Sequence, residues 1–254
     1  VDRWRYFAIG HRDHRVCNPT SDAAIDQLVE LLALPPDARV LDVGCGKAEL
    51  LIGLARRWRC RGTGVDLSEP FVSEARERVD AAGLRWAIDI RHGDGSRYET
   101  TPESFDAVSC LGASWIFGGH EGTLRALTGW ARPRGLVVVG EPFWRREPSP
   151  GYLRASGFDA SSFGTHAANV ETGLRLGLGL LHTFVSSPRD FDRYEGLQWN
   201  AIERHAREHP DDPDNAELVS TLRGARDAYL RWGRDELGWA IYVFAKAPFP
   251  AGGS

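Results

Sequence analysis

The run VLDVGCGKAELL at residues 40–51, followed by GTGVD ending at Asp66, constrains this chain more than any other feature. Val40 and Leu41 open a short apolar strand, and Gly44 and Gly46 form a turn with no Cβ atoms in the way. Leu50 or Leu51, Leu54, Ala55 and Trp58 then recur at helical period. Strand, glycine turn and helix come in the order that a nucleoside cradle requires. Asp66 ends a second apolar strand, where a carboxylate accepts hydrogen bonds from both hydroxyls of a ribose.

The glycines alone do not choose the ligand. A dinucleotide fingerprint needs a third glycine at position 49, and the chain has Glu49, whose charge opposes a pyrophosphate. The phosphate-loop pattern fails as well, because Lys47 directly follows Gly46 and Ala48 replaces the Ser or Thr. A ribose-bearing, phosphate-free cofactor fits better, and S-adenosylmethionine is such a molecule. Its sulfonium and amino group are cationic, which suits Asp42, and its carboxylate can meet backbone N–H groups near a helix start.

These residues resemble the class I S-adenosylmethionine-dependent methyltransferases, and the likeness extends over most of the chain. VLDVGCGKAE is similar to that family's glycine-rich first motif, with Ala48 where many members carry a third glycine. Asp66 in GVDLS matches the ribose-binding acid, and Asp94 in RHGDGSRY the acid that meets the adenine amino group. FDAVSCLGASWIFGG resembles the fourth strand and the loop beside the transferred methyl, and RPRGLVVVGEPFW the fifth strand. GASWIFGG, GEPFWR, RYEGLQW and LGWAIYVF further resemble a bacterial small-molecule-type subgroup.

The resemblance implies a doubly wound, Rossmann-like α/β fold with a seven-stranded, mostly parallel sheet. The organisation expected along the chain is an N-terminal helical arm or lid at 1–35, a core at 36–186 and 236–248, and a helical insertion at 187–235 that covers the substrate, all in one domain. The expected cofactor contacts are Asp42, Gly44, Cys45, Gly46, Asp66, Leu67, Asp94, Gly95, Cys110 and Leu111, with S-adenosylhomocysteine as product. CLGA replaces the polar-Pro-Pro-aromatic box of enzymes that methylate amino bases, which argues against nucleic acid.

The rest of the chain fits one elaborated α/β domain: 254 residues, 42% hydrophobic, suffice for a large core plus an accessory segment. A net charge of −4 argues against a phosphate-backbone partner, and no apolar run approaches a membrane span. Four cysteines without a C-x-x-C pair suit a reducing cytoplasm. The expected partner is a small-molecule substrate, and the expected assembly a monomer or homodimer. Ser21 caps a helix carrying Ile25, Leu28, Val29 and Leu32, and Ser68 with Pro70 starts another. Strands are predicted at 84–91, 105–111, 136–140, 178–185 and 239–245, and helices at 122–131 and 163–174. Pro-rich EPFWRREPSPG is expected to leave the sheet as an exposed loop. Leu218, Leu222, Ala225, Tyr229 and Trp232 are expected on one helix face.

Methyl transfer is a displacement at carbon, so the protein mainly aligns the partners and excludes water. Where the acceptor must lose a proton, Glu141 and His14 are the candidate bases, with His120 and His166 behind them. Trp115, Phe117, Phe143 and Trp144 are candidate substrate contacts. His11, His14 and Cys17 fall at three-residue steps, but Arg12 and Arg15 between them and the lack of a fourth ligand argue against a metal, and none is expected. A noncatalytic S-adenosylmethionine-binding module and a protein methyltransferase are the alternative functions.

Overall fold

The computed structural model describes residues 1–247, so the expected end of the core at residue 248 lies outside the described residues. Its strands are β1 (Arg39–Val43), β2 (Arg61–Asp66), β3 (Ile88–His92), β4 (Phe105–Leu111), β5 (Ala131–Trp144), β6 (Leu178–Val185) and β7 (Leu237–Lys246). They form one seven-stranded sheet in the order β3-β2-β1-β4-β5-β7-β6. The first five pair in parallel, and β7 runs antiparallel between β5 and β6. The chain winds outward from β1 to β3 and then jumps back across β1 to β4. That reversal opens a crevice above the carboxyl ends of β1 and β4.

The helices are α1 (Arg3–Gly10), α2 (Asp22–Leu32), α3 (Glu49–Trp58), α4 (Glu69–Ala81), α5 (His120–Trp130), α6 (Pro150–Ser156), α7 (His166–Arg175), α8 (Pro188–Glu208) and α9 (Asn215–Ala228). Successive strand residues point to opposite faces, so Val40 joins the layer under α2, α3 and α4 while Leu41 joins the one under α5. Leu124 and Leu127 of α5 are wholly buried in that second layer, each stabilising the fold by about 2 kcal/mol. Ser21 caps α2 through the Ala24 N–H, as its sequence predicts.

The fifth strand is longer than predicted. It continues through Pro142 to Trp144, paired with β7 as far as Leu237, so GEPFW is strand rather than loop. The physical reason is the neighbour count. β4 stops at Leu111 opposite Gly140, so at Pro142 β5 has β7 on one side and no strand on the other, where pairing resumes only at the Trp144–Thr165 bridge, and an edge position tolerates a residue without an N–H. The Pro142 carbonyl is still used, accepting from Asn169 Nδ2 at 3.3 Å.

The insertion before β7 is a helical hairpin. Pro188 and a Ser187–Asp190 capping box start α8, and Ile202 of α8 packs on Leu218 and Leu222 of α9 with Tyr6 and Ile9 of α1 alongside. The expected single seam divides. α9 then crosses toward the strand ends, so Ala228 is buried and Ala225 exposed. A π-helical turn, Tyr229–Gly233, sets Tyr229 on Phe191 and Trp239 and Trp232 on the cluster around Trp144 and Tyr152. Among the described residues, no helix is long and apolar enough to cross a membrane.

Candidate active site

β1 delivers the glycine turn to the crevice. Gly44 has φ +69°, and a Cβ there would come within 2.5 Å of Ala113 Cβ in the loop after β4. Only glycine therefore allows both the left-handed backbone and the close approach of the two loops. The Gly44 N–H donates to the Val65 carbonyl at 2.8 Å, tying the turn to β2. Gly46 N–H donates to Asp66 Oδ2 at 2.8 Å, and Ser68 N–H donates to Asp66 Oδ1 at 2.9 Å. Each carboxylate oxygen thus accepts one backbone bond and keeps acceptor capacity for a ligand.

The turn and Asp66 form the floor of a cavity of about 170 Å³. Leu67, Phe71, Trp115 and Ile116 line its sides. The roof comes from far away in sequence: Trp4, Phe7 and His11 from the N-terminal arm, and Tyr194 from α8. Across Gly44 lies a smaller space of about 40 Å³ lined by Asn18, Asp42, Cys45 and Leu111. Ser109 Oγ donates to Asp42 at 2.7 Å, but burial outweighs that bond and holds the Asp42 carboxyl up at about 7.

Residues 40–135 match the methyltransferase domain family. The chain is 31% identical over 245 residues to the Escherichia coli K12 protein YjhP, covering 96% of this chain and 98% of that one. It also superposes on an S-adenosylmethionine-dependent methyltransferase from Geobacter sulfurreducens crystallised with S-adenosylhomocysteine, with TM-score 0.89 and 31% identity over 94% of this chain and 97% of that one. A second such complex, from Thiobacillus denitrificans, gives TM-score 0.87 and 32% identity over 94% and 97%. The chain belongs to the class I S-adenosylmethionine-dependent methyltransferases.

The cofactor of this methyltransferase is S-adenosylmethionine, and the residues present fit it. Asp66 has acceptor capacity left for a diol, the turn is stripped of Cβ atoms, and Asp42 supplies an acid beside it. Asp94 stands one strand over from Asp66, half-exposed, capping the short turn Gly95–Arg97. Its carboxylate accepts from the Ser96 hydroxyl at 2.7 Å and the Ser96 N–H at 2.9 Å, and these bonds hold its pKa below the usual carboxylate value. Gly95 lies against Val43, and Cys110 is fully buried on the face opposite Leu111. Neither they nor Asp94 line either space, whereas Gly44, Gly46, Asp66, Leu67 and Leu111 line the larger one.

The candidate catalytic and substrate residues separate in the structure. Trp115 lines the cavity beside Trp4, with ring centroids 6.3 Å apart. Phe117 packs on Trp130 instead. Because β5 continues as strand, Phe143 turns under the sheet against Gly238 and His166, and Trp144 is sealed among Tyr152, Phe158 and Phe163 with Nε1 donating to the Ala160 carbonyl. Glu141 shares the Phe143 side of the strand, next to Ser114 and behind the cavity wall. Burial pushes its carboxyl up to about 7, and Oε2 has no partner. His14 is buried behind His11, its Nε2 2.9 Å from the Tyr194 carbonyl oxygen. His120 and His166 are bonded to the Asn169 carbonyl and the Tyr242 hydroxyl on the far side of the sheet.

Sequence reasoning expected a lid and a cover but missed the residues that form them here, Trp4, Phe7, His11 and Tyr194, and their anchor. Lys47, which reads like a phosphate-binding lysine misplaced by spacing, is buried and donates to the His11 carbonyl at 2.8 Å and the Arg12 carbonyl at 3.3 Å, with Glu74 at 2.9 Å. It fastens the arm to the glycine turn. Arg5 pairs with Asp212 and Asp214, and Asp13 with Arg204, which holds the same arm to α8 and the turn after it. Lys47→Met strands two buried carbonyls, so urea melts are expected to show a loss of about 1–3 kcal/mol. Calorimetry is expected to show weaker S-adenosylhomocysteine binding in the same variant. Unchanged affinity would mean that the arm is indifferent to the ligand.

Proposed function

We propose that this methyltransferase acts on a small-molecule acceptor. The observation that supports this reading is the roof. α1 and α8 reach over the glycine turn and leave a small, partly covered cavity of about 170 Å³, where a protein substrate would need a long open groove for an extended chain. The cover limits the access of water to the sulfonium and the incoming nucleophile, which favours a displacement between aligned partners.

In this reading the ribose sits on Asp66 and Leu67, the adenine amino group meets Asp94 beside Gly95, and the amino-acid end lies along Gly44, Cys45 and Gly46 near Asp42, with Leu111 closing that end, while Cys110 only packs behind it. The aromatic faces of Trp4 and Trp115 border the acceptor's approach. The arm at 1–35 and the insertion at 187–235 act as lid and substrate cover of a single catalytic domain. The protein works in the cytoplasm as a monomer or homodimer, without nucleic acid or membrane partners.

The test is to incubate the protein with S-adenosylmethionine radiolabelled in the methyl group and a bacterial extract, then to separate small molecules from macromolecules. Label in the low-mass fraction, with stoichiometric S-adenosylhomocysteine, is the expected result. Label confined to protein would overturn the reading.

A further inference from the structure

Tyr194 and His11 meet across the top of the cavity, one from α8 and one from the arm. Both line it. His11 Nδ1 is 3.0 Å from the Phe7 carbonyl oxygen, an atom that can only accept, so Nδ1 carries the proton. Nε2 is then the unprotonated nitrogen, 3.0 Å from the Tyr194 hydroxyl, and must accept from it. The chain of bonds has one direction: Tyr194 O–H to His11 Nε2, and His11 Nδ1–H to Phe7 O. With its own proton committed, the Tyr194 oxygen can face a ligand only as an acceptor.

The pair is held from outside as well. Lys47 grips the His11 carbonyl, and His14 stacks against the His11 ring at 4.8 Å while bonding the Tyr194 backbone. The charged and titratable groups around His11 are thus Lys47 and His14, with Tyr194 in front. Burial, reinforced by these neighbours, pushes the His11 imidazole down to about 3, so the resting ring is neutral and its Nε2 lone pair is kept for the Tyr194 hydroxyl.

We propose that Tyr194 is the catalytic residue that receives the proton of a hydroxyl acceptor, and that His11 is the positioning residue that fixes the Tyr194 hydroxyl and takes the proton onward. When bound, S-adenosylmethionine supplies the methyl carbon: the acceptor lone pair forms the new bond to it as the C–S bond breaks, its electron pair passing to sulfur. The proton released from the methylated acceptor goes to the Tyr194 oxygen while the Tyr194 proton passes to His11 Nε2. One positive charge leaves the sulfonium and one arrives on the His11 imidazolium, so the charge inside the roofed cavity is conserved. A weakly basic imidazole suffices for a hydroxyl acceptor, because an alkylated oxonium is a far stronger acid than any imidazolium.

The inference rests on methyl transfer and not on the size of the acceptor. Its first test needs no acceptor. In protein labelled with 15N-histidine, the His11 Nε2 resonance is expected to be that of an unprotonated nitrogen. It is also expected to differ between the S-adenosylmethionine and S-adenosylhomocysteine complexes, because the pair faces the charge that distinguishes them. An identical Nε2 frequency in the two complexes, or a proton on Nε2, would overturn the proposal.

The second test is Tyr194→Phe, which removes one oxygen and keeps the ring packing. Its S-adenosylhomocysteine affinity is expected to stay close to the parent's, while label transfer in extract falls by ~100-fold or more. Transfer at the parental rate would equally overturn the proposal. A parent that labels only protein would count against the small-molecule reading and leave the spectroscopic result to decide the pair.

Discussion

Asp66→Asn is expected to weaken S-adenosylmethionine binding almost as much as Asp66→Ala, although it keeps the shape of the side chain. The Gly46 N–H points at one carboxylate oxygen and the Ser68 N–H at the other. An asparagine offers one acceptor oxygen. Whichever way its amide is turned, an NH₂ group confronts a backbone N–H, and either the glycine turn or the start of α4 loses its tie to β2. The remaining acceptor capacity, which two ribose hydroxyls would use, is halved at the same time. Losing two hydrogen bonds to a charged group amounts to on the order of 3 kcal/mol, or roughly 100-fold in Kd.

Calorimetry on both variants checks this expectation. A tenfold or smaller effect of Asn, by the same conversion of free energy to affinity, would mean that the carboxylate only braces the turn. Asp66 is itself buried, and desolvation raises its pKa while the Ser68 and Gly46 N–H groups lower it. The backbone bonds therefore oppose, without cancelling, the effect of burial on an acid placed where a diol must bind.

The floor of the site was legible in the sequence because it is local. Gly44, Gly46 and Asp66 lie within one strand-turn-helix-strand unit, and the hydrogen bonds that join them span about twenty residues. The existence of a roof was legible, but the residues that make it were not. Trp4, Phe7 and His11 recur at helical spacing, which says that one face of α1 is covered and nothing about what covers it. Tyr194 reaches His11 across 183 positions of sequence.

The misplacement of Phe143 and Trp144 has a different cause. Read as a loop after β5, they belong beside the ligand; read as strand, alternate residues go under the sheet. What decides between the two is whether β4 still accompanies β5 at Pro142, and it does not. Glu141 follows from the same continuation, one strand position beyond the last β4 partner.

Glu141→Gln is expected to make the protein more stable at pH 8 and to change little at pH 5. The folded carboxyl is pushed up to about 7 by burial from an ordinary 4.5, and Oε2 has no partner to repay ionisation. Below the unfolded value both states hold the proton and nothing is lost. As pH rises from there, the unfolded chain gives up its proton first, and stability drains away until pH passes the folded pKa. The full loss is at most about 3 kcal/mol for a shift of this size.

The parental melting curve alone will not reveal it. Burial raises Asp42 and Glu195 to about 7 in the same way, while it lowers His11 and His14, whose unfolded forms take up protons as pH falls through the ordinary imidazole value. The acids favour low pH and the histidines oppose it over an overlapping window, so the two sets partly cancel. The difference between Glu141→Gln and parent isolates one carboxyl, and it should open between about pH 5 and pH 8 in urea melts. A difference independent of pH would mean that Glu141 is already ionised in the folded protein. Methyl transfer by the same variant decides the sequence-based expectation for this residue: a proton acceptor would cost ~100-fold in rate, and a carboxyl behind the cavity wall almost nothing.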